Sequence, residues 1–433
     1  VDCGSNAHDS VAWLEQKGVD VIVLDHHQVS TPPAAVALVN PHLSKGSGSS
    51  QMTELCSVAL AFKLVHALLK RARELHASWA RNADIRTTLD LVALGTIADL
   101  VPVVGENRIL VTAGLAQLNQ THRPGLCALF KLAQVGNPIG SYEVAFQIAP
   151  RLNAAGRLQT ALDALDLLMT RELDHADLLA QALEFRNRER QQIERQILSE
   201  VISAINSHFH PETSHVIVEG KKEWHIGVVG IVASRIQQEF HRPTIILGGD
   251  GPNLRGSGRS VEGFDLARAL RECEDILIRH GGHSMAAGVT IAPEHLDTFR
   301  DRLNSLAQER LRPEQLTPSI VLEGEVPLQA LTLNQVQDLQ KLQPCGPKNP
   351  VPQFAVCRVT LARPPQVIGR DQQHLKLWIT DGVHCLEVLW WAWSGQPTPS
   401  GTFDVACVPT INEYNGRCTV QLKLIDWRPA TLP

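Results

Sequence analysis

No CxxC pair occurs among the nine cysteines, which are scattered from Cys3 to Cys418. That spacing argues against a zinc site or a disulfide framework and for reduced thiols, so a cytoplasmic protein is expected. No apolar run reaches the roughly 18 residues that a membrane span needs, and no basic-apolar-cleavage signature opens the chain. Positive charge is not in excess either. The net charge is −5, so the molecule is no polycation, and a nucleic-acid partner has to be met by local basic patches. With those classes set aside, 44% hydrophobic and 20% charged residues over 433 positions describe an ordinary folded chain. That length accommodates about two to four domains. Position 1 is Val, and Asp2-Cys3-Gly4 follow at once. There is no room before Asp2 for the strand that such a motif normally follows, so a fragment or an internal start is the expectation.

Residues 19–24 form a short β-branched run that stops at Asp25-His26-His27. A buried parallel strand ending in polar residues fits it. Helical patterns follow over residues 56–69 and 87–97. Strand-then-helix alternation predicts an α/β layer with its site at the strand carboxyl ends. The Gly/Ser-rich stretch 45–50 reads as an internal loop. Residues 175–205 contain neither Pro nor Gly and read as one long connector helix, with Leu178, Leu179, Ala182, Phe185, Ile193, Ile197 and Val201 as its apolar stripe. A fresh β start at 215–218, a helix over 228–240 and a strand at 244–247 open a second, small α/β domain. Beyond a Pro/Gly-rich hinge at 344–352, strands are predicted at 354–361, 374–380, 386–391, 403–408 and 418–424, a small barrel of the OB type.

Asp2, His26 and Asp99 offer two carboxylates and an imidazole, a mix that suits manganese or magnesium in phosphoryl chemistry. Each taken singly reads as an ordinary polar residue at an element end. Their contexts are more specific. Val1-Asp2-Cys3-Gly4, Asp25-His26-His27 and Gly95-Thr96-Ile97-Ala98-Asp99 resemble, in order, three motifs of the DHH phosphoesterase family. The resemblance implies that Asp2 bridges two metals, that His26 and Asp99 complete the shell of one, and that His27 faces the scissile phosphate. It also implies two ions, Mn2+ or Mg2+, in the intact family site. The family's earlier Asp-x-Asp motif, which holds the other metal, is absent because the chain begins after it, so this polypeptide is expected to be an impaired nuclease.

Arg151-Leu152-Asn153-Ala154-Ala155-Gly156-Arg157 sets two arginines around small residues that let a phosphate backbone approach, and guanidinium forks match phosphate oxygens. A solvated arginine pair is the plainer reading. With Ile148-Ala149-Pro150 before it, the segment is similar to the motif of the RecJ subfamily that lies near the strand's 5′ end. Three further segments, 224–235, 256–260 and 281–288, put glycines beside Ser, Arg and His, a concave surface of N–H donors suited to phosphates. In this order they resemble the DHH-associated domain. Ser257, Arg259, Ser260, Gly281, Gly282 and His283 are the candidates for substrate contact, and Gly227 to Gly230 for helix packing. Arg186, Asn187 and Arg190 on the connector helix are weaker candidates for DNA contact, with Glu184, Glu189 and Glu194 as alternative surface partners. Trp378, Trp390, Trp391, Trp393, Tyr414 and Trp427 in the barrel suit base stacking or core packing equally.

The expected architecture is a DHH-type parallel-sheet α/β domain over residues 1–185, a connector helix at 186–209, a DHH-associated α/β domain at 210–315, a linker region at 316–349 and an OB-type β-barrel at 350–433. The resemblance implies a 5′-to-3′ exonuclease that hydrolyses single-stranded DNA by a two-metal reaction in repair and recombination. A monomer is expected, with a helicase or single-strand-binding protein as candidate partner and no membrane. The alternatives are a DHH oligonucleotide or cyclic-dinucleotide phosphodiesterase, which the barrel and the Arg151 motif count against, and a non-catalytic single-strand DNA-binding relative.

Overall fold

The computed structural model describes residues 1–29, 31–44 and 54–430, so the loop expected at 45–50 lies outside the described residues. Two compact units result. One comprises Val1–Thr121, Gly136–Ala145 and the stretch from Ile320; the other comprises His122–Val135 and Phe146–Ser319.

In the first unit the β-branched run does make a strand, but a shorter one than expected. After helix α1 (His8–Gln16), Val19 still closes a turn, its N–H donating to Leu14 O at 3.0 Å. Strand β1 is therefore only Ile22–Leu24, paired in parallel with β2 (Ala37–Val39), Leu24 opposite Val39. Val23 and Leu24 are buried. Leu24 packs with Leu55, Cys56, Ala59, Leu60 and Val92, drawn from helix α2 (Ser57–Glu74), its entry and helix α3 (Leu89–Ala98). Helix α4 (Gly105–Leu118) follows α3. The apolar side of β1 thus anchors the strand, and its polar carboxyl end is left free for chemistry.

The second unit opens with α5 (Pro124–Ala133). The chain returns to the first unit for the short α6 (Ser141–Glu143), then continues with α7 (Ala149–Leu158), α8 (Leu162–Met169) and the 36-residue α9 (Leu173–His208). The connector helix therefore starts well before residue 186, and its buried stripe differs from the one read in the sequence. Leu178 and Phe185 are 65% and 70% exposed. The buried line runs through Ala176, Ala180, Leu183, Asn187, Arg190, Glu194, Ile197, Val201 and Ile205. Its spacing of three and four is that of one helix face, but its middle is polar, which hid the face from an apolar count.

After α9 come β3 (Ile217–Gly220), α10 (Ile226–Phe240), β4 (Thr244–Asp250), β5 (Asn253–Arg259), α11 (Leu266–Arg271), β6 (Leu277–Gly282), β7 (Ala286–Ile291) and α12 (Leu296–Arg310). The strands form a sheet in the order β3-β4-β5-β7-β6, parallel only at β3/β4, where α10 is the crossover. Val228, Val232 and Ile236 of α10 are fully buried against Ile197 and Val201 of α9 and Ile246 of β4.

The C-terminal part of the first unit contains β8 (Gly324–Glu325), α13 (Leu333–Gln340), β9 (Phe354–Leu361), β10 (Gln366–Ile368), β11 (His374–Thr380), β12 (Cys385–Trp390), β13 (Phe403–Tyr414) and β14 (Arg417–Pro429). The order β11-β12-β14-β13-β9, with β9 pairing back to β11, closes a five-stranded ring. Its core includes Val359, Leu377, Ile379, Phe403, Val405 and Leu422. The segment 316–349 is not the linker expected. Leu328 and Leu331 are buried in the barrel core, and β8 pairs with β9.

Candidate functional site

Three separate segments of the first unit meet at the carboxyl end of β1. Asp2 lies beside the strand, its N–H donating to Leu24 O at 2.8 Å, in a left-handed conformation (φ 63°) that Asp tolerates better than most residues. His26 follows the strand one residue later, after Asp25. Asp99 caps the end of α3. His26 Nε2 stands 3.4 Å from Asp2 Oδ1 and 3.3 Å from Asp99 Oδ2, and the imidazole is 16% exposed. Among the described residues, donor atoms of Asp2, His26 and His27 all lie within 4.8 Å of one another. Burial raises the Asp99 pKa, with the charge of Asp2 adding to the rise and His26 opposing it. Asp99 is not in the group of Asp2, His26 and His27, but its carboxylate and that of Asp2 each lie against the His26 imidazole, a donor set that suits a divalent cation. Ligands held at right angles about 2.1 Å from an ion stand about 3.0 Å apart, close to the 3.3 and 3.4 Å observed.

Beneath this cluster sits a residue that the sequence reading passed over. Asp25 is buried. Its Oδ1 accepts from the N–H groups of His26 (2.8 Å) and His27 (3.2 Å) and lies 2.7 Å from His27 Nδ1, while Oδ2 accepts from Ser5 N–H at 3.0 Å. Burial alone would raise its pKa. The hydrogen bonds from Ser5 and His27 overcome that and hold the carboxyl well below the usual carboxylate range. Asp25 therefore keeps the proton of His27 on Nδ1 and leaves Nε2 facing out. Asn40 ties the layer together, its amide donating to Ser5 Oγ at 2.8 Å and to His27 O at 2.9 Å. The signal available in the sequence was an Asp at a strand end directly before two histidines.

In the second unit the expected phosphate-binding residues separate into two kinds. Arg157, near the end of α7, and Arg259, at the end of β5, are neighbours without a carboxylate ion pair among the described residues. Burial pushes the pKa of both guanidinium groups down. The charge of Arg190 does the same to Arg157, against the opposing pull of Glu194, and the charge of Arg157 does so to Arg259. Two such cations side by side make a place for an anion. Ser257 joins them: a Cβ added at Gly230 would stand 3.1 Å from Ser257 Oγ and 3.7 Å from Arg259 Nη2. Gly227 lets α10 approach α7, since a Cβ there would fall 2.0 Å from Arg157 O. Arg259 is opposite Ala286 across β5 and β7, and the N–H of His283 donates to Ala286 O at 2.8 Å. The β6–β7 turn carrying Gly281, Gly282 and His283 therefore lies at the same end of the sheet. Asn153 is exposed on α7.

The other kind braces. Arg151 does not present its guanidinium freely: Nε pairs with Glu184 at 2.7 Å, Nη1 donates to Gln147 O, and the side chain is 17% exposed. Ser260 is buried, its hydroxyl donating to Phe264 O at 2.7 Å. Asn187 and Arg190 are buried instead of facing solvent. Arg190 pairs with Glu194 and donates to Asn187 Oδ1 at 2.7 Å. Arg186 pairs with Asp163 of α8 at 2.7 Å. Of the three α9 candidates for DNA contact, Asn187 and Arg190 thus lie inside the buried stripe, whose polar middle needs charge partners, and Arg186 is half-buried against Asp163. Glu194, which also meets Arg235 at 2.7 Å, had been read only as a surface partner.

In the barrel, Trp390, Trp393 and Trp427 pack against the core. The Arg363 guanidinium lies 3.4 Å from the Trp378 ring centroid. Trp391 and Tyr414 are 48% and 70% exposed.

The sequence matches family profiles for the DHH family N-terminal domain over residues 1–96, the DHHA1 domain over 213–309 and the RecJ OB domain over 322–426. It is 36% identical over 437 residues to the single-stranded-DNA-specific exonuclease RecJ of Bacillus subtilis, covering 98% of this chain and 53% of that protein. To RecJ of Haemophilus influenzae it is 34% identical, covering 99% and 76%. The crystal structure of RecJ from Thermus thermophilus in complex with Mn2+ superposes with a TM-score of 0.85 at 31% identity, covering 100% of this chain and 61% of that one. The Mg2+ complex gives 0.80 at 31% identity, covering 96% and 61%. The chain thus spans about half the length of the Bacillus relative. With these similarities over three domains in the same order, the chain belongs to the RecJ family, within the DHH group.

Proposed function

We propose that the chain serves the hydrolysis of single-stranded DNA from its 5′ end, with Mn2+ or Mg2+ held by Asp2, His26 and Asp99. The observation that carries this reading is His26 Nε2 between two carboxylates brought from sequence positions 2 and 99. The relatives' names supply the substrate class, and the Thermus complexes supply the two metals.

In the hydrolysis a water oxygen bonds to phosphorus, the bond from phosphorus to the 3′ oxygen breaks, and a water proton ends on that oxygen. A divalent cation at such a site neutralises charge on the phosphate and makes water a better nucleophile. The protein's own contribution is positional. Asp25 holds His27 through Nδ1, so that Nε2 is the atom turned outward, and with both ring nitrogens protonated its N–H donates to a phosphate oxygen. Arg157, Arg259 and Ser257 take a terminal 5′ phosphate, with Asn153, Gly281, Gly282 and His283 beside the strand. Arg151, Ser260, Asn187 and Arg190 hold the surrounding elements in place.

A single strand rather than a duplex is the substrate, so a helicase or single-strand-binding protein is the fitting partner, with a monomer as the working state in the cytoplasm. No helix among the described residues is long and apolar enough to cross a membrane.

The test is digestion of a 5′-phosphorylated, 3′-labelled single strand in Mn2+. Loss of nucleotides from the 5′ end, reduced by at least about 100-fold in Asp99→Ala, supports the reading. Equal digestion by Asp99→Ala rejects it.

A further inference from the structure

Asp99 is placed by the last turn of α3, its N–H donating to Gly95 O at 2.9 Å. The chain then turns at once. Leu100 is left-handed (φ 57°), and a second left-handed residue, Gly105 (φ 51°), begins α4. Such a turn costs backbone energy and persists only when its surroundings impose it. The surroundings here come from far along the chain. The N–H of Val103, a buried residue, donates to Pro347 O at 2.8 Å. Gly346 lies against the Val103 side chain so closely that a Cβ would fall 2.5 Å from Val103 Cγ2. Arg108 of α4 donates through Nη2 to Leu342 O at 2.9 Å, and Lys348 pairs with Glu54 at 2.8 Å. The loop that makes these contacts is itself rigid. Gly346 and Asn349 exchange backbone hydrogen bonds of 2.9 and 3.0 Å, and the Asn349 amide donates to Pro344 O at 2.8 Å.

We propose that the loop from Leu342 to Asn349, at the entry to the C-terminal barrel, positions the Asp99 carboxylate for its cation by bracing the turn that follows it. This rests on the metal site proposed above. Gly346, Pro347 and Arg108 are positioning residues: they act on Val103 and the turn, and touch neither cation nor substrate. The Asp99 side chain is 43% exposed, so α3 on one side and this brace on the other are what fix its direction. A carboxylate ligand must be held to within about 0.5 Å of its productive place, and outer supports of metal ligands are typically worth about 10- to 100-fold in affinity. The same contacts give the barrel a physical connection to the metal site, four residues away along the backbone from Val103 to Asp99.

The experiment is a calorimetric titration of the full chain with Mn2+, alongside thermal melting by circular dichroism. Gly346→Ala is expected to weaken Mn2+ binding by about tenfold or more, and Val103→Ala in the same chain to restore most of it by making room for the new methyl. Affinity changed by less than about twofold in Gly346→Ala, or left unrestored by Val103→Ala, overturns the brace. If Gly346→Ala melts below the assay temperature, Arg108→Ala releases the Leu342 carbonyl without steric pressure, and unchanged Mn2+ affinity there overturns it equally. Asp99→Ala separates the two levels. No loss in Asp99→Ala rejects the metal site itself, whereas a loss there with none in Gly346→Ala rejects only the brace.

Discussion

The His27 imidazole is bound through Nδ1 to Asp25 Oδ1 at 2.7 Å, with the carboxylate buried and the ring 56% exposed. A charged, hydrogen-bonded carboxylate behind a half-exposed histidine fixes one tautomer and one ring orientation.

Asp25→Asn keeps the shape and loses that control. The side-chain amide must turn an NH2 group toward one of the N–H donors that Asp25 now accepts. The turnover number on a 5′-phosphorylated strand is expected to fall by about 100-fold or more, with KM changed far less. The buried mismatch should also cost about 1–3 kcal/mol of stability. Steady-state kinetics with a urea melt check both parts, and an unaltered turnover number would show that His27 needs no partner.

The depressed pKa of Asp25 carries a definite sign. A carboxyl whose folded pKa lies below its unfolded value contributes stability that is complete above the ordinary carboxylate range and is lost as pH falls through the folded pKa. The loss of stability between wild type and Asp25→Asn should therefore be constant near neutral pH and shrink progressively as pH falls through the ordinary carboxylate range and below it. Urea melts across pH measure it, and a loss that shrinks already near pH 7 contradicts the assignment.

Arg157 and Arg151 should part company, although both belong to one motif. Arg157→Ala is expected to weaken binding of 5′-phosphorylated more than 5′-hydroxyl strands and to reduce the salt dependence by about one counterion. Arg151→Ala breaks a largely buried pair with Glu184, so its main effect should be a lower melting temperature. Filter binding across a salt series, paired with melts, distinguishes them. Equal phosphate selectivity losses in both variants would return Arg151 to the binding surface.

Glu194 lies under the same region with Arg190 and Arg235 as partners. Removing it by Glu194→Ala leaves a buried guanidinium without its carboxylate, a change worth about 3–5 kcal/mol. The second unit should then unfold at markedly lower urea, as read by far-UV circular dichroism. A midpoint equal to that of the wild type would mean that water already serves Arg190.

Much of the candidate site was legible because its proposed ligands sit at element ends that composition marks. His26 follows a β-branched strand, Asp99 ends an apolar helix, and the barrel strands alternate as period two requires. What escaped reading depends on distant partners. Nothing local distinguishes Arg151, held by Glu184, from Arg157, which is not. Ser260 and Ser257 are three residues apart, yet only the first is spent on a carbonyl, that of Phe264. The buried face of α9 was misread because Asn187, Arg190 and Glu194 occupy its middle, and an apolar count rejects charged positions. The segment 316–349 looked like a linker because Val326, Leu328 and Leu331 join a core built mostly from strands that come after them.

The most direct test of the proposed site is the anomalous diffraction of Mn2+ in crystals of this chain. A peak about 2.0–2.3 Å from His26 Nε2 and from a carboxylate oxygen each of Asp2 and Asp99 is the expected result. A Mn2+ peak elsewhere, or bound by these carboxylates with His26 turned away, would contradict it.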